Sequence, residues 1–232
     1  MSWGEVFKIN SNMKKPINEQ LRDMKYNPIR VITATGTYTP EKTGTYKVIC
    51  VGKGGDGATD TTSSPNNYRA AAGGGGGVAI RTMRLSRGTS YSVTVSTTAS
   101  FADGSTIVTA TGGGSATSRG GGTASGGDSN YSGTAGGYTS SEFQSATPGS
   151  VGVEISGLSC TPAAVIGTLI DTSTSSSTYG TYVISLPYGR SLLEYGGGGN
   201  GAAFYTSSTV QGKINTAGKP AAVIIVPLEM EE

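Results

Sequence analysis

Few side chains in this chain could carry out catalysis. It contains no histidine, which excludes Ser-His-Asp and Cys-His catalysis as well as the usual imidazole ligands of zinc. Paired carboxylates could still hydrolyse a glycosidic bond. The acids considered for such a pair are Asp103, Asp128, Glu142, Glu154 and Asp171. Their spacing indicates no pair, and Asp103 and Asp128 stand beside glycines, as turn residues do. The sequence therefore predicts no catalytic residue, no metal site and no enzyme.

A glycine motif directly after a strand pattern could indicate a dinucleotide site. VGKGGDGA, residues 51–58, places Gly52, Gly54 and Gly57 at a matching spacing. That site also needs a helix whose N-terminus meets the pyrophosphate, and an acid about 20 residues further on for the ribose. The sequence continues with ATDTTSSPNNYR, which has no helical pattern, and then reaches AAGGGGG. We therefore expect no cofactor.

Tyrosines lie in or beside the Gly/Ser/Thr-rich loops. Tyrosine among small polar residues is typical of recognition loops, because it offers a large rigid contact area at low entropic cost. Arginine can add hydrogen bonds to a sugar or to an anionic wall polymer. The same tyrosines could instead cap packed glycine runs, so both interpretations stay open. The candidate receptor-binding residues are Tyr68, Arg69, Arg119, Tyr131, Tyr138, Phe143 and Tyr205.

Glycine is the compositional outlier, with 38 of 232 residues. Each ordered glycine costs roughly 0.5–1 kcal/mol relative to alanine, so a run must be compensated or remain a tether. Strand patterns flank the runs, and the runs lack the Gly-X-Y repeat of collagen. We expect them to pack side by side as extended, polyproline-II-like backbones, because no side chain keeps them apart. The glycines expected to pack in this way are Gly73, Gly74, Gly75, Gly76, Gly77, Gly196, Gly197, Gly198 and Gly199.

Strand patterns dominate residues 31–232. Segments such as PIRVITATGTYTP, GTYKVICV, TSYSVTVSTT and AAVIIV are bounded by Gly, Ser, Thr, Asp or Pro. Cys50 lies within one of them, which favours a buried, reduced thiol. Short strands at this spacing predict a mainly β, sandwich-like, glycine-rich domain.

Residues 1–30 differ in composition and form a separate segment. In KKPINEQLRDMKY the proline suits a first helical turn, and Ile17, Leu21 and Met24 fall on one helical face. We expect a short helical anchor that attaches the protein to a partner; the alternative is that it folds back onto its own domain. The apolar residues proposed for attachment are Trp3, Phe7, Ile9, Met13, Ile17 and Leu21.

Charge and hydropathy exclude several kinds of partner. The net charge of +2 and the pI near 8.5 are too mild for a nucleic-acid-binding surface. The sequence shows no secretory leader and no apolar run of 18 residues, so we expect neither secretion nor membrane insertion, and folding in a cytoplasm.

Four segments together resemble one family. YTPEKTGTYKVICVGKGGDG, AAAGGGGGVAIRTMRLSRGTSYSVTV, GSTIVTATGGG and GKPAAVIIV follow one another as strands and glycine runs. This order is similar to that of the glycine-rich domain of tailed-bacteriophage tail fibres and of contractile phage-tail-like bacteriocin particles. The resemblance covers residues from about 31 to 228; the Ser/Thr-rich region 139–181 departs from it by having fewer glycines.

The resemblance implies a virion protein at the distal tail, assembled in the bacterial cytoplasm. Its loops would contact a bacterial surface receptor, a wall glycan, and its N-terminal segment would join a tail fibre or baseplate. It also implies a homotrimer. The alternatives are a structural tail or baseplate component without a receptor, and a polysaccharide depolymerase. An ice-binding glycine bundle fits poorly, because no period-three glycine ladder runs through the sequence.

Overall fold

The protein is a mainly β structure, which confirms the predicted class. The computed structural model describes residues 29–60, 69–139, 146–171, 180–206 and 209–231. In these ranges the chain forms strands and no helix, and no membrane-spanning helix is found among them. The predicted N-terminal helix and its apolar residues Trp3, Phe7, Ile9, Met13, Ile17 and Leu21 lie outside the described residues.

Two antiparallel sheets of five strands pack face to face and form what we call the base. The first contains, in spatial order, β1 (Arg30–Ile32), β19 (Ala222–Met230), β3 (Gly44–Val51), β6 (Val78–Leu85) and β11 (Ser129–Tyr131). The second contains β10 (Ala124–Ser125), β9 (Thr106–Ala110), β8 (Ala99–Asp103), β7 (Tyr91–Val95) and β2 (Gly36–Tyr38).

The central strands β3 and β19 of the first sheet are buried on both faces over part of their length, which explains their continuous apolar segments. Val48 and Cys50 lie in the core cluster shared with the second sheet. Their neighbours Ile49 and Val51 belong to another cluster on the opposite face, which includes Leu192. Side chains alternate between faces along a strand, so burial of both faces requires apolar residues in succession.

One predicted strand is two strands in the structure. PIRVITATGTYTP predicts a single strand, but the chain forms β1 and β2 in different sheets, separated by a bend. The Thr35 hydroxyl fixes this crossing, because it accepts a hydrogen bond from the Val95 N–H at 3.0 Å and donates to the Val95 carbonyl at 3.1 Å.

Glycine-containing runs leave the base and form a bundle that we call the glycine core. Its central run, residues 72–77, is buried and connects β5 (Arg69–Ala71) to β6. Six surrounding runs are hydrogen-bonded to the central run: residues 52–57, 111–115, 119–123, 132–137, 147–152 and 196–200. A seventh run, residues 216–220, is hydrogen-bonded to the runs at 52–57 and 196–200.

The central run directs its six N–H groups to three neighbours in rotation. The acceptors of Ala72, Gly73, Gly74, Gly75, Gly76 and Gly77 are, in that order, the carbonyls of Gly137, Gly199, Gly114, Thr134, Gly196 and Thr111. Every third N–H therefore meets the same run. Three residues per turn is the repeat of polyproline II, which makes no hydrogen bonds within its own helix.

Carbonyl groups of the central run bind the other three neighbours. Gly73 accepts from the Gly149 N–H at 2.9 Å, and Gly75 accepts from the Gly122 N–H at 2.8 Å. Gly74 and Gly77 accept from the run at 52–57. The buried backbone is thereby bonded to six surrounding runs, which offsets the entropy that glycine loses on folding.

The glycine core carries a second group of strands, which we call the distal end. A three-stranded sheet joins β12 (Tyr138–Thr139), β5 and β4 (Ala58–Asp60). The hairpin of β17 (Gly201–Thr206) and β18 (Thr209–Asn215) lies beside this sheet, and the hairpin of β14 (Val165–Asp171) and β15 (Gly180–Leu186) lies beside the first hairpin. The remaining pair, β13 (Ser159–Cys160) with β16 (Ser191–Leu192), belongs to the base instead, where Leu192 joins a core cluster. At about 3.1 Å per residue, six-residue runs separate base and distal strands by nearly 20 Å.

Candidate functional site

The structure brings together two of the receptor-binding candidates, Arg119 and Tyr138. The Arg119 guanidinium carbon lies 4.6 Å from the centre of the Tyr138 ring, which is a cation–π distance. Arg119 begins the run at 119–123, and Tyr138 follows directly on the run at 132–137. The site therefore lies where two runs of the glycine core reach the distal end.

Backbone hydrogen bonds between these two runs set the register of the pair. The Gly136 N–H donates to the Arg119 carbonyl at 2.8 Å, and the Gly133 N–H donates to the Gly122 carbonyl at 2.9 Å. A shift of one residue would carry Tyr138 away from the guanidinium. The packing of the glycine core thus positions both side chains.

Arg119 has a left-handed backbone, with φ of 55°. This conformation costs a residue with a side chain roughly 1–2 kcal/mol. A hydrogen bond from its N–H to the Ser115 carbonyl at 2.7 Å holds it there, together with the bond from Gly136. Strain of this kind is concentrated at functional sites, and here it fixes the point from which the guanidinium projects.

An open groove lies beside the pair, with a volume of about 470 Å³. Its lining consists of Ser118, Arg119, Gly120, Ala135, Gly136, Gly137 and Tyr138. Tyr138 is 54% exposed, and a Cβ on Gly120 would meet no atom within 4 Å. The groove therefore has a floor of small residues and one wall formed by a cation over an aromatic ring.

Electrostatic partners distinguish Arg119 from four other arginines. Arg30, Arg84 and Arg190 form ion pairs with glutamates, and Arg81 donates to the Gly126 carbonyl. Within the described part of the chain, Arg119 has no carboxylate at ion-pair distance, and the groove lining contains no acid. Among the described residues its guanidinium therefore has the Tyr138 ring as a partner but no carboxylate.

The remaining candidates are dispersed. Tyr131 lies in β11 of the base, partly buried against a core cluster. The six-residue run 132–137, about 20 Å of extended chain, separates it from Tyr138. Arg69 and Tyr205 belong to β5 and β17, two neighbouring strands of the distal end. Tyr68 and Phe143 lie outside the described residues.

The glycines singled out from the sequence are buried in the glycine core. A Cβ on Gly73 would overlap the backbone carbonyl of Gly55, and one on Gly75 would overlap that of Ser150. On Gly199 a Cβ would overlap the Thr216 carbonyl. Each neighbour is backbone and cannot rotate aside, so the spacing between runs leaves no room for a side chain.

The residues considered for catalysis or nucleotide binding have structural surroundings. Asp103 ends β8 beside Gly104, a turn glycine with φ of 56°. An Asp128 carboxylate oxygen accepts the Thr82 N–H at 2.7 Å. The motif at 51–58 continues β3 into the run at 52–57 and then into β4, so no helix follows it. In the described ranges no cluster of acids and cysteines could hold a metal ion.

Sequence reasoning missed the ion pair of Lys53 and Asp56 within that run. The Lys53 ammonium lies 2.8 Å from one oxygen of Asp56. That carboxylate also accepts the Gly218 N–H at 2.8 Å. Burial raises the pKa of Asp56, but the hydrogen bonds from Lys53 and Gly218 and the Lys53 charge outweigh it, so the net pKa is lowered. The three-residue spacing of Lys53 and Asp56 is visible in the sequence. The hydrogen bond from Gly218, which joins the run at 52–57 to the run at 216–220, is not.

Comparison with known proteins gives no relative from which a role could be transferred. No protein-family model and no curated protein matches the chain. A role for the distal end is therefore inferred from its geometry and from the order of strands and glycine runs along the chain.

Proposed function

We propose that the protein is a receptor-binding tail-fibre or tail-tip protein of a bacteriophage or phage-tail-like particle, and that its distal end contacts glycans of a bacterial surface. The observation that carries the proposal is the groove formed by Arg119 and Tyr138. It is exposed, it is held by the glycine core, and it lies at the end of the molecule opposite the base.

Rigidity of the support favours a binding role. A site that is already ordered before binding loses less conformational entropy when its ligand arrives. The runs that carry Arg119 and Tyr138 are bonded to each other and to the central run. In addition, contacts with one glycan could be weak and still suffice, because several copies of the protein bind together.

The particle context completes the proposal. Residues 1–30 would attach the protein to a tail fibre or baseplate, in a homotrimer implied by the resemblance. The protein would be folded in the bacterial cytoplasm and would act on the finished particle. No catalysis and no cofactor are required for this role.

A groove-filling substitution tests the proposal on intact cells. Purified, labelled protein is applied to a panel of bacterial strains, and binding is measured with Gly120→Leu and with Gly36→Leu as the matched control. Both glycines are exposed, and a Cβ at either would meet no atom within 4 Å; Gly36 lies in β2 of the base.

We expect the wild type and Gly36→Leu to bind at least one strain and Gly120→Leu to bind none. We also expect excess wild type to block adsorption of a phage that infects this strain and carries the protein. Equal binding by both variants would place the contact elsewhere. Failure of the wild type to bind or to block adsorption would favour a structural tail component without a receptor.

A further inference from the structure

We infer that the groove at Arg119 takes an anionic group, a carboxylate or a phosphate, of a bacterial surface polysaccharide. The inference rests on the proposed function and narrows it to a class of ligand. Three observations support it: the charge of the Arg119 guanidinium, its position over the Tyr138 ring and the lining of the groove.

Charge is the first argument. Arg30, Arg84 and Arg190 are satisfied by glutamates of the chain, whereas Arg119 has no such partner among the described residues. The acid joined most directly to the neighbouring turn is Asp56, whose carbonyl accepts the Ala116 N–H at 2.9 Å. Its carboxylate is already engaged by Lys53. Among the residues that the structure describes, the charge that Arg119 brings to the groove is thus not compensated by a carboxylate.

Geometry is the second argument. A guanidinium offers a planar fork of donors that matches a carboxylate or a phosphate. The contact over the Tyr138 ring, 4.6 Å from the guanidinium carbon to the ring centre, restricts the position of that fork before any ligand arrives. The same contact occupies one face of the ring, so this face cannot serve as a platform for a neutral sugar. An anion is therefore the better match.

Shape is the third argument. The floor consists of Gly120, Ala135, Gly136 and Gly137, and the groove is open to solvent rather than enclosed. A polymer could pass along such a floor while one of its anionic groups meets Arg119. The left-handed backbone of Arg119 sets the direction in which its side chain leaves the run, and the contact with Tyr138 places the guanidinium.

Binding to purified polymers tests the inference. Three probes are used: polygalacturonate, which carries carboxylates; poly(glycerol phosphate) teichoic acid, which carries phosphates; and dextran, which is neutral. The full chain is immobilised and binding is measured at low and high salt for the wild type, Arg119→Gln and Arg87→Gln. Arg87 is a matched control, because it is exposed in the turn after β6, at the base.

We expect the wild type to bind at least one anionic polymer and not dextran. Binding to polygalacturonate alone would assign a carboxylate, and binding to teichoic acid alone a phosphate. Loss of a charge-assisted hydrogen bond should weaken the binding of Arg119→Gln by about tenfold or more, while Arg87→Gln should bind like the wild type. Binding should weaken as salt rises, because an exposed cation is screened.

Four results would overturn the inference: no binding to either anionic polymer, equal binding to dextran, unchanged binding by Arg119→Gln, or equal losses in both variants. Thermal unfolding shows whether Arg119→Gln is folded; should it not be, Arg119→Lys is used, which keeps the charge without the fork and should bind more weakly than the wild type. The two proposals can be told apart. If the polymers do not bind but the wild type still binds cells and Gly120→Leu does not, the inference fails and the proposed function stands.

Discussion

At the scale of single residues, the position of a glycine in the glycine core decides how much a Gly→Ala substitution lowers the free energy of unfolding. A Cβ at Gly75 would overlap the Ser150 carbonyl, whereas Gly120 has open space and a φ outside the left-handed region. Both residues are glycine in the sequence, and both belong to polyglycine stretches. The two positions are therefore a matched pair for measuring the tightness of packing.

We expect Gly75→Ala to lower the free energy of unfolding by about 3 kcal/mol or more, because backbone runs must separate to admit the methyl group. Gly120→Ala should change it by no more than about 0.5 kcal/mol. Chemical denaturation of both variants measures the difference. Similar stabilities for the two would show that the central run is not tightly surrounded.

Asp56 makes the stability of the glycine core depend on pH. Its folded-state pKa is lowered, so its contribution is fully present above the unfolded value of about 3.9 and is lost as pH falls through the folded value. We expect the stability difference between wild type and Asp56→Asn to shrink as pH falls through this range. Melting temperatures at neutral and acidic pH measure it, and a difference independent of pH would contradict the assignment.

At the scale of elements, the outer runs need glycine only where they face a neighbour. In the run at 132–137, Gly133 and Gly136 would clash with the central run if they carried a Cβ, while Thr134 and Ala135 carry side chains without difficulty. Gly149 and Gly152 repeat the spacing in the run at 147–152. The contact faces thus recur every third residue, as three residues per turn require.

This explains which elements could be predicted from the sequence. Uninterrupted glycines between strand patterns indicated the central run and the run at 196–200. TPGSVG, residues 147–152, carries no such indication, because its contact glycines stand among ordinary residues. What repeats every three residues is the neighbouring run that each backbone group meets, so the repeat is visible only when the facing runs are known.

A second matched pair tests this period within one run. Gly133→Ala should destabilise the protein by about 2 kcal/mol or more, since its Cβ would overlap the Gly75 carbonyl. Gly137→Ala should cost less, because the nearest atom, the Thr147 carbonyl oxygen, lies 3.3 Å from the added Cβ. Thermal unfolding of the two variants measures the difference. A larger loss of stability for Gly137→Ala than for Gly133→Ala would contradict the three-residue repeat of contact glycines.

At the scale of the whole molecule, the glycine core joins a base with an apolar interior to a distal end that presents the groove. Arg119 and Tyr138 could be chosen from the sequence by residue type and by their loop surroundings. Their contact could not, because it depends on the register between two runs, and Tyr131, equally suitable by type, lies in the base. Likewise, the six neighbours of the central run come from distant parts of the chain, so its place at the centre was not visible.

The central claim is that glycine backbones form an ordered, mutually bonded support for the distal end. Hydrogen exchange of the amides of residues 73–77, measured on the full chain, tests it most directly, because each of these N–H groups has a carbonyl partner and is buried. We expect protection comparable to that of β3 in the base. Exchange at the rate of a free peptide would contradict the claim and remove the support on which the groove depends.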